Sequence, residues 1–329
     1  AFPLAETPTI GTPTTGSYAN NDRAVQVELT ATRSLPFLSF FAATPTITVE
    51  ATAALVYTGK YCMVSLDESA GTGITFACNA TVNLCSGVIS NTRGANAESA
   101  MGGASVTASP IAAVGGVPGS SVYKQPTLLL PYSLKQKNPF SDILDPALPS
   151  TPECEEQITD ATLTLTPGKC YKGLNVDRSM TFPAGTYYFT GDFSLNSKAN
   201  ITAHGVTFVF TSQTPSNPST FPALSIDGSA RLDLTAPTSG TYEGIIMHYD
   251  SRAPSAGHKV NGNSSSKFEG AFYFPTQHLT YNGNSDMTTN CIQLVAYRLT
   301  FEGNTKINNS CPTGGGAKAF DASWVRLVG

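Results

Sequence analysis

One phrase recurs along this chain, and it constrains the fold more than any other feature. "SKANITAHGVTFVFT" (197–211) has near-copies in "GSARLDLTAPTSGTYEGIIMHY" (228–249), "GNSDMTTNCIQLVAY" (283–297) and "EGNTKINNSC" (302–311). Aligned on a central small residue, the markers fall at Ala80, Ala104, Ser179, Ala199, Ala230, Ser264, Ser285 and Thr305, separated by 24, 75, 20, 31, 34, 21 and 20 residues. Several spacings cluster near 20, and the longer ones hold insertions such as "TSQTPSNPSTFP" (211–222). A period of this length marks a solenoid: one unit cannot bury its own apolar face, so the phrase repeats until neighbours cover one another. Each unit has short β runs between Gly, Asn or Pro and no helical stretch long enough for a βαβ crossover. The expected fold is therefore all-β, a right-handed parallel β-helix with coils ~4.8 Å apart. In 187–211 the inward candidates are Tyr188, Phe193, Leu195, Ile201, Val206, Phe208 and Phe210, and small residues belong at the sharp corners.

Composition agrees with strands. Charged residues are only 13% of the 329, while the hydrophobic share of 40% is ample for a core. A net charge of −4 with 19 scattered Lys and Arg predicts neither a nucleic-acid partner nor an anionic membrane surface. No apolar run approaches the ~20 residues of a membrane span, and the start "AFPLAETPTIG" has no basic leader or apolar core, so it reads as a mature form.

The first 60 residues depart from the repeat. Residues 1–22 read as an extended tail and 23–60 as a β-rich headpiece: "RAVQVELTATRS" (23–34) and "TPTITVEATAALV" (44–56) alternate as half-buried strands, with "LPFLSFFAA" (35–43) an apolar hook or short helix between them. The solenoid is then 61–329. Within it the prolines of 121–154 forbid a regular central strand or long helix and predict a belt packed along the coils. Seven cysteines without zinc-ligand spacing suit an extracytoplasmic protein with local disulfides. Cys154–Cys170 and Cys291–Cys311 would close loops of 16 and 20 residues.

The stretch "YCMVSLDESAGTGITFACNATVNLCSGVISNTRGANAESAMGGASVTA" (61–108) resembles the TadE/TadG-like Flp pilus-assembly proteins of bacteria. So do "TPTTGSYANNDRAVQVEL" (13–29), "LTPGKCYKGL" (165–174), "LTAPTSGTYEGIIMHYD" (234–250), "FYFPTQHLTYNGNS" (272–285) and the ending "VRLV" (325–328). The motifs are low in complexity, and their order across nearly the whole chain makes the match. The resemblance implies an extracellular or cell-surface protein of tight-adherence pili, acting in adhesion and self-assembly, with no catalytic or cofactor residues to carry over. It also implies a Cys62–Cys85 disulfide, with Cys62–Cys78 as the alternative, and otherwise leaves Cys78 unpaired or intermolecular. The tail 1–21 is then expected to add as a strand to the next molecule and so propagate a polymer, its alternative being to lie back on its own solenoid.

Because β-helices also host polysaccharide enzymes and lectins, a surface polysaccharide partner is the second expectation. Asp227 and Asp233 with Arg231 are the best acidic cluster, followed by Asp177–Arg178 and Asp250–Arg252; all read as turn residues. His204, His248, His258 and His278 are isolated in sequence and predict no metal site. "ATLTLT" (161–166) reads as one alternating strand rather than an ice-binding array, and "GGG" (314–316) as a turn. Trp324 and Tyr187–Tyr188 could stack sugars but read first as core or cap aromatics. No nucleophile elbow, metalloprotease helix or phosphate loop is present, so no enzyme is expected.

Overall fold

The computed structural model describes residues 4–32, 45–84, 86–149, 153–162, 164–263, 265–283, 286–289, 291–309 and 319–328. The described residues are all-β, with one 3-10 turn at Pro218–Thr220 and no α-helix. They form two compact units: Ala1–Thr58 with Tyr132–Leu134 and Ala322–Gly329, and Gly59–Pro131 with Lys135–Asp321.

The larger unit is a set of parallel ladders that the chain visits in rotation. Leu174–Val176, Ser179–Phe182 and Gly185–Phe189 make one round. Phe193–Leu195, Asn200–His204 and Val206–Phe210 make the next, then Leu224–Ile226, Arg231–Thr235 and Ile245–Tyr249. The rounds lie in register. On the first ladder Leu174 faces Phe193 and Phe193 faces Leu224; on the second Met180 faces Ile201 and Ile201 faces Leu232; on the third Phe189 faces Phe210 and Phe210 faces Tyr249. These stacked side chains belong to one continuous hydrophobic cluster, the shared burial that a repeat requires. The arrangement is compatible with a solenoid.

The repeat markers stack as the alignment expects. Thr81 N donates to Thr305 O, Ser105 N to Ala80 O and Arg231 N to Ala199 O, and Ala80, Ala104, Ala199, Ala230 and Thr305 are buried. One marker is displaced: Asn200 N donates to Arg178 O, so Arg178 and not Ser179 holds the corner. Ser264 and Ser285 lie outside the described residues. The corners also explain two glycines. Gly205 has φ +68 between strands of the second and third ladders, and a Cβ on Gly191 would lie 2.0 Å from Lys172 O of the round below.

The order of rounds departs from the order of the chain. Cys291–Gly303 pairs in parallel with residues 63–65 (Leu294 facing Met63) and with Ile74–Phe76 (Leu299 facing Ile74), and Lys306–Asn309 pairs with Thr81–Leu84. Residues 61–130 therefore continue the ladders beyond residue 309, although they precede 158 in sequence. The connection has to run back. From Leu129–Leu130 to Cys170–Tyr171 the third ladder takes nine pairings, roughly 43 Å at ~4.8 Å each. The intervening residues, up to ~3.3 Å each when extended, span that easily. The path is marked by contacts in sequence order: Gln136 N to Asn91 Oδ1, Asn138 Nδ2 to Tyr273 OH, Arg252 Nη2 to Pro146 O, then Glu155 N to Cys170 O. The prolines predict a belt over 121–154; Tyr123 bridges Val106 and Leu129–Leu130 is still a rung, so the first part of that range belongs to the ladders.

The third ladder is covered on its outer side as well, and the strap contributes Phe140 and Asn138 on Tyr273. Val206–Phe210 and Ile245–Tyr249 are buried at every position, and in the latter His248 packs against Tyr242 on one side and Tyr273 on the other. Strands covered on both faces need no alternation. Here one inward assignment changes: Tyr187 and Phe189 point into the core, and Tyr188 between them points out. The described residues of "ATLTLT" form no strand: Thr162 N bonds Thr159 O and Thr162 Oγ1 accepts from Thr159 N, a local turn that competes with the ladder, and Leu163 lies outside the described residues.

In the smaller unit β1 (Thr9–Gly11), β2 (Ala24–Thr32) and the first part of β3 (Thr46–Ser65) are antiparallel, with Ile10 facing Val27 and Leu29 facing Val49. The tail thus supplies a strand to its own β2. Residues 322–329 belong here as well, where the repeat alone would leave them in the solenoid: Val328 N donates to Thr52 O, and Ser133 bridges Arg326. The hook at 35–43 and "GGG" lie outside the described residues.

Candidate functional site

The acidic residues at the corners are spent on the backbone. Asp227 Oδ1 accepts from Ser229 N, and Asp177 Oδ1 accepts from Lys198 N of the next round. Asp233 bonds His204 Nε2 at 3.0 Å across one rung, on an exposed face. Arg231 is exposed. The Asp227–Asp233 pair therefore splits between a turn and a cross-rung contact and does not converge on one substrate position.

Two deeper ion pairs carry the strongest electrostatics. Asp250 is fully buried at the end of Ile245–Tyr249. Arg252 grips it with Nε on Oδ1 at 2.9 Å and Nη2 on Oδ2 at 2.6 Å, while Thr211 Oγ1 donates to Oδ2 at 2.6 Å. Burial works to raise the carboxyl, but these donors outweigh it and hold Asp250 below the usual range. The same Nη2 also donates to Pro146 O at 2.8 Å, and Ser251 donates to Asp145, so this pair anchors the strap.

The second pair joins residues 231 apart in sequence and is invisible to motif reading. Arg298 Nε donates to Asp67 Oδ2 at 2.6 Å, and Ser69 donates its N–H and its hydroxyl to the same carboxylate. Again burial raises the carboxyl, and the donors Ser69, Arg298 and Tyr297 prevail and lower it. His278 stacks on Tyr297 at 5.5 Å; its burial and the neighbouring Arg298 lower its pKa. Asp67 follows the first N-terminal rung and Arg298 sits in the last C-terminal one, so the pair staples the seam where rounds join out of chain order. Its only sequence trace is "SLDES" beside a strand end, a phrase many turns share.

The remaining histidines are structural by surroundings. His248 is pushed down to about 4, chiefly by burial against the partial restoring effect of Asp250 and Asp145. His258 is buried against Tyr249 and Phe274, lowered by burial, with Gln277 Oε1 at 3.3 Å. Among the described residues no three His, Cys, Asp or Glu side chains converge as metal ligands. Trp324 and Tyr187 are fully buried, so neither offers a face to a sugar.

Cys154 and Cys170 form a disulfide at the far end of the strap, with Gln213 Nε2 at 2.9 Å from Cys154 Sγ. Cys291 is disulfide-bonded, and its expected partner Cys311 lies outside the described residues. Cys62 is buried, with Asn309 Nδ2 at 3.4 Å from its sulfur; Cys85 lies outside the described residues. Cys78 is exposed and free at φ 58, so the alternative Cys62–Cys78 bridge is not formed.

One cavity of about 360 Å³ opens beside Ser179–Phe182, the terminal strand of the second ladder, lined by Thr162, Thr164, Leu165, Arg178, Ser179 and Met180 among others. Arg178 Nη2 donates to Thr162 O at its wall. Three comparisons with known proteins, by family, by curated sequence and by solved structure, found no match for this chain.

Proposed function

We propose that the chain is an extracellular structural protein of a bacterial surface pilus or filament, of the TadG-like kind its motifs resemble, acting in adhesion and self-assembly. The reading takes the ladders to close into a right-handed parallel β-helix, since parallel strands linked by short turns favour right-handed connection. The observation that carries the proposal is where the strong polar groups go. Asp250–Arg252 holds the strap and Asp67–Arg298 the seam, so these buried ion pairs serve the cohesion of the ladders and not a cleft. The buried rungs, the Cys154–Cys170 disulfide and the absence of any helix long and apolar enough to cross a membrane among the described residues accord with it. The N-terminal strand supplies the polymer contact by exchanging its place on β2 for the β2 edge of the next molecule. Negative-stain imaging of the purified protein tests this: filaments are expected, and removing residues 1–20 should leave folded particles without them. Filaments undiminished in that truncation would refute the N-terminal mechanism.

The cavity beside Arg178 favours one second reading, a surface polysaccharide ligand. Its hydroxyl-rich wall and single guanidinium suit an acidic sugar. A polysaccharide panel decides it, with binding lost in Arg178→Ala as the supporting result and cleavage of any member as the result that would make the chain an enzyme.

A further inference from the structure

The antiparallel sheet of the smaller unit sorts its residues by face with unusual completeness. Along β2 the positions Val25, Val27, Leu29 and Ala31 share one side, and their register partners on β3 are Ala53, Ala51, Val49 and Ile47. Ile10 of β1 faces Val27, and Leu4 bridges Ala31. On the other edge Val328 N bonds Thr52 O, which puts Leu327 beside Ala53. The opposite side carries Gln26, Glu28, Thr30, Thr48 and Glu50, joined by the Gln26–Glu50 and Thr30–Thr48 hydrogen bonds. The apolar side is nevertheless bare: Ile10 and Leu327 are each 69% exposed, Ile47 54% and Val49 53%. Most of the large exposed hydrophobics among the described residues lie on this one face. A contiguous apolar face of this kind marks an interaction surface.

We propose that this face is a homodimer interface, covered by the same face of a second copy. Three observations select that occupant. The three long strands, with the shorter edges, offer on the order of 600 Å² per copy, so a pair would bury about 1,200 Å², the lower bound for a specific protein–protein interface. The face holds no charge at positions 25, 27, 29, 31, 47, 49, 51 and 53, so bringing it against itself creates no like-charge contact, whereas the Glu28 and Glu50 side would. Rows of Ala31, Ala51 and Ala53 beside Ile47, Val49 and Leu29 give the alternation of small and large side chains that lets two sheets interdigitate ~10 Å apart. A lipid surface fits less well. The unit carries Glu6, Asp22, Glu28 and Glu50 against Arg23, Arg33 and Arg326, a net −1, and so lacks the basic rim that draws a protein to anionic headgroups. A two-fold pair is closed, so it deepens the self-assembly reading and rests on it for its biological sense: the dimer is the building block and the N-terminal strand is the link between blocks.

The test is sedimentation velocity on the intact chain from about 1 to 100 µM without detergent. The smallest sedimenting species of the wild type, beside any filament, is expected at twice 34.5 kDa, with Val49→Glu shifting that species to monomer and weakening its association by at least ~100-fold. Leu327→Glu at the other edge should do the same, which covers the case in which one variant fails to fold by circular dichroism. Thr48→Glu, on the same strand but the polar side, should leave the dimer intact. A wild type monomeric throughout, or a folded Val49→Glu and Leu327→Glu that still pair, would overturn the proposal. So would a monomer that floats with neutral phosphatidylcholine vesicles and loses this in Val49→Glu, which would make the face a membrane contact. Dimers without filaments would refute the polymer reading alone, and filaments from monomeric Val49→Glu would refute the dimer alone.

Discussion

Strand β3 runs through two regimes in twenty residues. From Thr46 to Ala54 it alternates Thr and Glu with Ile, Val and Ala, and most of those side chains are exposed; from Tyr61 to Ser65 every position is buried. The second half belongs to the third ladder, whose inner side stacks on the core and whose outer side lies under other chain, as Phe140 on Tyr273 shows. The first half belongs to a sheet with one apolar face open. β-Propensity is similar in both, so what differs is cover, and cover decides what a substitution costs.

The largest expected effect attacks the covered side. Val209 lies between Phe208 and Phe210, is fully buried, and stacks between Tyr188 and His248 on the outer side of the third ladder. Val209→Asp should cost more than about 4 kcal/mol in urea denaturation, because it buries an unpaired charge. Val49→Asp on the bare face should stay within about 0.5 kcal/mol for the monomer. Equal costs would break the comparison.

Removing the anchor of the cover comes next. Arg252→Ala leaves Asp250 buried without its main partner and should cost roughly 3 kcal/mol. The loss should shrink as pH falls through the carboxylate range, because a depressed carboxyl contributes stability above its unfolded pKa and forfeits it when protonated. Cutting the strap's other end, by Cys154→Ser with Cys170→Ser, should cost about 3 kcal/mol from a closed loop of 16 residues. Limited proteolysis should then cut first within 135–157.

A dependence on pH probes the inner side. Glu98 is fully buried in register with Ile74, and burial raises its carboxyl well above the usual range, so it is neutral in the fold. The folded state then binds the proton that the unfolded chain releases, and stability falls as pH rises above about 4.5, by up to about 1.4 kcal/mol per unit. Glu98→Met should abolish that slope and stabilise the chain at pH 8. The histidines act oppositely: His248, lowered to about 4, costs stability as pH drops below about 6.5, so both proteins should weaken on that side. An unchanged slope above pH 5 in Glu98→Met would mean the carboxyl finds partners in solution. The smallest effect is Val49→Thr, expected to be neutral in unfolding and visible only in the association constant.

The local chemistry was legible. Repeats of β-branched residues between Gly and Asn specify short strands, and small residues at corners specify stacking, so the markers at Ala80, Ala104, Ala199, Ala230 and Thr305 could be aligned from residue types alone. Phe193, Leu195, Ile201, Val206, Phe208 and Phe210 face inward because each lies in the period-two phase of its strand. Adjacent aromatics defeat that rule, since Tyr187 and Tyr188 are equally apolar in body, and only the neighbouring rung chooses Tyr187. Asp67–Arg298 carried no signal because its partners meet through the stacking of rounds and not through proximity in sequence.

What the sequence by itself determined is the unit: a three-strand round, its corners, a strap too rich in proline to join it, and local crosslinking of Cys154 with Cys170. Only the tertiary structure decided the order of the rounds, with 61–130 stacked beyond 309, the strap running back, and the last strand leaving the repeat for the N-terminal sheet. The reason is physical. A parallel rung is recognised by any rung of matching width and register, because its hydrogen bonds are backbone groups and its core side chains are interchangeable apolar ones. Which rung meets which is settled by the burial summed over the whole stack, and no short stretch of sequence encodes that sum.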